Sequence, residues 1–117
     1  MKDTKARVYV AGPYSSGIPD DNIRAATNAA DELWGHGFIP FVPHWNLFWG
    51  ILHPKGHSEW LVWCKAWLRE CEYLLRLPGH SKGADEEETF ARGLGITVCY
   101  RVREVIDHWE AERHVHA

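Results

Sequence analysis

The sequence predicts a small α/β domain with a mostly parallel sheet of four to five strands, and two observations carry that expectation. Four short β-rich apolar runs, "RVYVA", "FIPFV", "YLLRL" and "GITVCY", are spread along the chain. Between them lie stretches whose apolar residues recur at helical spacing. Strands alternating with helices build parallel βαβ units with right-handed crossovers. The chain has 117 residues, enough for one modest core, and a single domain over residues 1–117 is expected.

Each element has its own signal. "RVYVA" ends at Gly12-Pro13 and reads as a buried strand. Asp20 or Asp21 then caps a helix, along which Ile23, Ala26, Ala30 and Leu33 repeat until Gly35 and Gly37 end it. "FIPFV" is a second strand, in which Pro40 is tolerable only outside the sheet interior. "PHWNLFWGILHPKGH" has no clean period and reads as a long loop, a kind of segment that is often functional. From Ser58 a helix carries Trp60, Trp63, Cys64, Trp67, Leu68 and Cys71 on one face. "YLLRL" is the third strand and stops at Pro78-Gly79. A helix over Ala84 to Leu94, the strand "GITVCY", and a last helix marked by Val102, Val105, Ile106 and Trp109 complete the chain.

The totals exclude several classes. A net charge of −3 supplies no basic footprint for a nucleic-acid backbone. No apolar run reaches the ~18 residues of a membrane span, and "MKDTKAR" contains no signal-peptide core, so no membrane role is expected. Three cysteines without a Cys-x-x-Cys spacing fit reduced thiols in the cytoplasm. Eight histidines invite a metal, but none pair at ligand spacing on a convincing helix, and no metal or cofactor is expected.

The run Asp85-Glu86-Glu87-Glu88 holds the main candidate. On a helix starting near Ala84, successive residues turn by about 100°, so Ala84, Phe90, Ala91 and Leu94 fall within roughly 60° of Glu87. The other three acids point elsewhere and suit the positive end of the helix dipole. Glu87 therefore lies in the stripe that faces the sheet, where an unpaired carboxylate is costly. It is either a buried glutamate with a structural partner or a carboxylate at the mouth of a cleft, at the sheet edge where open α/β folds bind ligands. Two glycine-bearing loops, Gly12 to Gly17 and Gly79 to Gly83, converge on that edge and offer backbone amides and hydroxyls suited to phosphate or sugar. Neither matches a P-loop or a dinucleotide fingerprint.

Taken together, "VYVAGPYSS", "GFIPFVPH" and "LLRLPGHSKGADEEETFARGLGITV" resemble the nucleoside 2-deoxyribosyltransferase-like superfamily. Within it they are most similar to a short bacterial and phage branch of unknown function, related to nucleoside 5′-monophosphate N-glycosidases. The resemblance covers about Arg7 to Tyr100. It implies a flavodoxin-like, Rossmann-like three-layer fold, a homo-oligomer, and cleavage or transfer at the N-glycosidic bond of a nucleoside or its 5′-monophosphate. A glutamate nucleophile would form a glycosyl-enzyme intermediate, as in retaining glycosidases. Carried over by position, that glutamate is Glu87, reached from Gly83. Ser81 falls where the monophosphate hydrolases contact the 5′-phosphate, with Ser15, Ser16 and Gly17 as the other half of the pocket. Gly12 and Tyr14 fall where the first loop lines the sugar site.

His44 and Trp45, in the aromatic loop, are the expected contacts to the base, and acid assistance to the departing base falls to His44 or a water. Trp45, Phe48 and Trp49 could stack on a base or pack in a core or interface. One departure stands out: the frame that usually reads Asp-Leu-x-Trp-Leu reads Cys64-Lys65-Ala66-Trp67-Leu68 here, and Glu72 stands where an aspartate is common. A thiol cannot replace a charged acceptor unless it ionises. The alternative expectation is therefore a catalytically weak or inactive nucleotide-binding module of the same fold.

Overall fold

The computed structural model describes residues 4–14 and 19–116. Four strands, β1 (Arg7–Ala11), β2 (Ile39–Phe41), β3 (Tyr73–Arg76) and β4 (Thr97–Cys99), form one sheet in the order β2-β1-β3-β4. Every pairing is parallel: Val8 lies opposite Pro40 on one side and Tyr73 on the other, and Leu74 lies opposite Val98. β2 is an edge strand, which is how a proline is accommodated within it.

The helices are α1 (Pro19–Gly35), α2 (Leu47–Leu52), α3 (His57–Leu68), α4 (Lys82–Gly93) and α5 (Val102–His116). They divide between the two faces as right-handed crossovers require. β1 to β2 and β3 to β4 run in opposite directions across the sheet, so their helices fall on opposite faces. On one face, Val8, Val10, Tyr73 and Leu75 pack with Ala26, Ala30 and Leu33 of α1 and Val105 and Ile106 of α5. On the other, Tyr9, Ala11 and Leu74 pack with Cys64 and Leu68 of α3 and Ala84 and Ala91 of α4. The result is the expected α/β layering.

Two expectations need correction. Most of the segment expected as a loop is helical: a 3-10 turn at Pro43–Asn46 leads directly into α2, and only residues 53–56 are irregular before α3. Its mixed period arises because neither short helix sends a full stripe into the core; Phe48 and Leu52 are about three-quarters exposed. Leu94, expected on the buried stripe of α4, is half exposed, because the helix ends at Gly93. Gly95, with φ of +78°, closes it: Gly95 N–H donates to Arg92 O and Ile96 N–H to Ala91 O, a Schellman ending.

The α3 tryptophans also behave differently from a core stripe. Cys64 and Leu68 enter the core, whereas Trp67 is half exposed. Trp49, Trp60 and Trp63 stack edge-on against one another at 4.9–6.3 Å, and Phe41 of β2 continues the series to Trp63 and Trp67.

Candidate functional site

The site is assembled at the C-terminal ends of β1 and β3, where the chain leaves the sheet in two loops. These loops press on each other. A Cβ on Gly79 would come within 2.6 Å of Pro13 Cγ, and the backbone there has φ of +117°, so only glycine fits. A Cβ on Gly12 would come within 3.0 Å of Leu77. Ser81 closes the second loop as the N-cap of α4, its hydroxyl accepting from Ala84 N–H at 3.1 Å. That cap fixes where α4 begins and hence where Glu87 points.

A cavity of about 210 Å³ opens between these loops, the 3-10 turn and α3. That is below the ~300–1,000 Å³ common for drug-sized ligands. Gly12, Tyr14, His44, Ser81, Gly83 and Glu87 all line it. Trp45 does not: it is half exposed, and its indole N–H donates to Thr27 Oγ1 of α1 at 3.0 Å. Ser15, Ser16 and Gly17 lie outside the described residues. Glu72 is at the opposite edge of the sheet, paired with Arg7 at 2.8 Å.

Glu87 is buried, 8% exposed. Its Oε2 accepts a hydrogen bond from the Tyr9 hydroxyl, which reaches it from β1. The Cys64 thiol of α3 lies near the same carboxylate and favours its charged form. Burial pushes the Glu87 carboxyl up to about 7, against the opposing effects of Tyr9, Cys64 and the Arg76 charge; Glu86 adds to the rise. Burial pushes the Cys64 thiol up to about 12, so it stays protonated and neutral. Tyr9 is likewise held well above the ordinary phenol range by burial and by the Glu87 charge.

His44 is 3% exposed, and burial lowers its pKa. Its Nε2 lies 2.8 Å from Pro13 O, an acceptor only, so Nε2 carries the ring proton and Nδ1 is a bare lone pair. Neither His44 Nδ1 nor Asn46 Nδ2 has a partner among the described residues. Both residues line the cavity, as do Trp60, Leu61 and His57. No group of three or more His, Cys, Asp or Glu side chains is arranged to hold a metal ion among the described residues.

Sequence reasoning missed Tyr9 and Asn46. Tyr9 had a usable signal: a hydroxyl in the middle of a buried strand requires a partner, and Glu87 was already placed facing the sheet. Asn46 had none, since it sits in a segment without a period.

A family model described as "Domain of unknown function (DUF4406)" matches residues 6–100. None of the curated proteins matches the chain. Among solved structures, a 2-desoxiribosyltransferase from Leishmania mexicana is similar, with a TM-score of 0.59 and 22% identity. The alignment covers 79% of this chain and 61% of that one, so the chain spans about three-fifths of that protein's length. At this identity the likeness is one of fold.

Proposed function

The chain belongs to the DUF4406 family, and we propose that it cleaves or transfers at the N-glycosidic bond of a nucleoside or nucleoside 5′-monophosphate, with Glu87 as nucleophile. The observation that carries this reading is the buried Glu87 carboxylate lining a small cavity at the C-terminal edge of a parallel sheet, held by the Tyr9 hydroxyl with Cys64 nearby. The fold shared with a deoxyribosyltransferase supports it.

In the first step a Glu87 carboxylate oxygen attacks the anomeric carbon, and the glycosidic C–N electron pair leaves with the base. In the second, water or another base attacks the same carbon and frees Glu87, retaining configuration overall. The Tyr9 hydrogen bond to Oε2 fixes the carboxylate and leaves Oε1 for attack. Ser81, Gly83, Gly12 and Tyr14 hold the sugar and any 5′-phosphate, together with Ser15, Ser16 and Gly17. His44 meets the base or sugar as a hydrogen-bond acceptor. Its single ring proton faces Pro13, so the proton for the departing base comes from water. The whole chain acts as one cytoplasmic domain on a small molecule, without nucleic acid, membrane, metal or cofactor. It works as a homo-oligomer, for which the exposed apolar Phe48, Ile51, Leu52 and Val62 offer a surface.

The nucleophile must be ionised, so base release rises with pH through about 7. The test is base release, followed by chromatography, from ribo- and deoxyribonucleosides and their 5′-monophosphates, with and without an acceptor base. Wild type releases base and Glu87→Gln falls by at least about 10³-fold. Equal release by both proteins contradicts the role of Glu87. Cys64 favours a second reading, a nucleotide-binding module without turnover, because a neutral thiol stands where a carboxylate is usual. That reading expects ligand-dependent stabilisation, no base release, and a gain of release in Cys64→Asp.

A further inference from the structure

The four acids Asp85 to Glu88 crowd one turn of α4, and three of them lie beside a basic side chain. Asp85 Oδ1 accepts from Arg76 Nη1 at 2.6 Å. Glu88 lies 3.9 Å from the same Nη1 and also meets Arg92 and the Tyr100 hydroxyl. Glu86 lies 3.7 Å from His57 Nε2. Glu87 itself accepts from the uncharged Tyr9 hydroxyl, with the neutral Cys64 thiol nearby.

Arg76 differs from the other cations. It is the last residue of β3, opposite Ala11 of β1, and its side chain is only 10% exposed. Besides Asp85, its guanidinium donates from Nε to Leu77 O at 3.1 Å and from Nη2 to Gly79 O at 2.9 Å. One side chain thus ties together the end of β3, the loop pressed against Pro13, and the first turn of α4. A planar fork satisfied on three sides holds a single geometry. Without it, Asp85 would lose its counter-charge within a turn of Glu87 and Glu88 would keep only Arg92, and like charges disfavour ionisation of a buried carboxylate.

We propose that Arg76 is a positioning residue for Glu87: by holding Asp85, Glu88 and the loop carbonyls together it neutralises the acidic run and keeps the Glu87 carboxylate available as the anion. The kinetic consequence rests on the reading of Glu87 as nucleophile; the charge relation does not. The groups that act on the Glu87 charge are Tyr9 from β1, Cys64 from α3, Arg76 from β3 and Glu86 from its own helix. Arg76 is the permanent cation among them.

The test compares Arg76→Met, Arg76→Lys and Asp85→Asn. In each background, melting temperature is measured against pH with Glu87 present and with Glu87→Gln, and the difference reports the Glu87 midpoint without turnover. Arg76→Met moves the midpoint up by about one pH unit. Arg76→Lys, which keeps the charge and loses the fork, leaves it near the wild-type value while lowering the melting temperature. Asp85→Asn, at a mostly exposed carboxylate, releases Arg76 and moves the midpoint down, and it decides the matter if Arg76→Met does not fold. Midpoints unchanged in Arg76→Met and Asp85→Asn, with only a loss of stability, would make Arg76 a structural clamp and overturn the proposal. Midpoints that move as stated, in a protein that releases no base, would uphold the charge relation and remove the nucleophile reading.

Discussion

The two faces of the sheet are built from alternate residues of the same strands, yet they are made of different material. The α1/α5 face takes Val8 and Val10 from β1 and Tyr73 and Leu75 from β3, and it closes over Leu33, Phe38 and Val105, while the Tyr73 hydroxyl reaches the rim and donates to the exposed Glu112 of α5 at 3.0 Å. The α3/α4 face takes Tyr9 and Ala11 from β1 and Leu74 and Arg76 from β3, and it buries a carboxylate bonded to a phenol, with a thiol nearby. A buried apolar layer is cheap to form and hard to use. A buried polar cluster costs desolvation, and such clusters are where perturbed groups and ligand sites coincide. On the proposed function, one face supplies stability and the other the chemistry.

The contrast can be broken first on the apolar side. Leu33→Ala empties a fully buried position and costs about 3 kcal/mol, read by denaturant unfolding. The midpoint of Glu87 stays in place, because no polar group near the carboxylate changes. A shift in that midpoint would show that the faces are not separable.

The chemical face carries a pH signature of similar size. The Glu87 carboxyl is at about 7 in the fold against an ordinary 4.5, so folding takes up a proton between those values. Its contribution to stability is fully present below pH 4.5 and is lost as pH rises through 7, on the order of 3 kcal/mol in all. Glu87→Gln removes this slope and becomes the more stable protein, relative to wild type, at alkaline pH. Parallel stability curves for the two proteins would contradict the burial of Glu87.

A smaller effect separates the partners of the carboxylate. Tyr9→Phe keeps the ring against Phe41, 5.5 Å away, and removes only the donated hydrogen bond. The loss is about 1–3 kcal/mol above pH 7, where Glu87 is charged, and less near pH 5. The acid limb of activity moves to higher pH. Equal destabilisation at both pH values would mean that the phenol serves packing alone.

Much of this was legible in the residues, and the failures have physical causes. The phase of Ala84, Ala91 and Glu87 on one helix placed the carboxylate against the sheet, because helical periodicity is a local property. The end of that helix was misplaced by one residue of stripe, since Gly95 stops it before Leu94 can turn inward. The segment from Pro43 to Leu52 was unreadable as helix because its turns are too short to show a period, and the same gap hid Asn46. Trp45 donates its indole N–H to Thr27, 18 residues away on α1, a tertiary contact without local trace in an aromatic segment open to base stacking or packing. Arg76 was invisible for the same reason: a lone arginine closing an apolar strand has meaning only once the loop and α4 fold back on it.

The central claim is that Glu87 forms a covalent bond to the sugar. The direct measurement is peptide mapping by mass spectrometry of protein rapidly acid-quenched during incubation with the nucleoside and nucleotide panel. The expected result is a glycosyl adduct confined to the peptide bearing Glu87, absent from Glu87→Gln and discharged by water or an acceptor base. Base release that proceeds undiminished in Glu87→Gln, with any adduct on another residue, would contradict it.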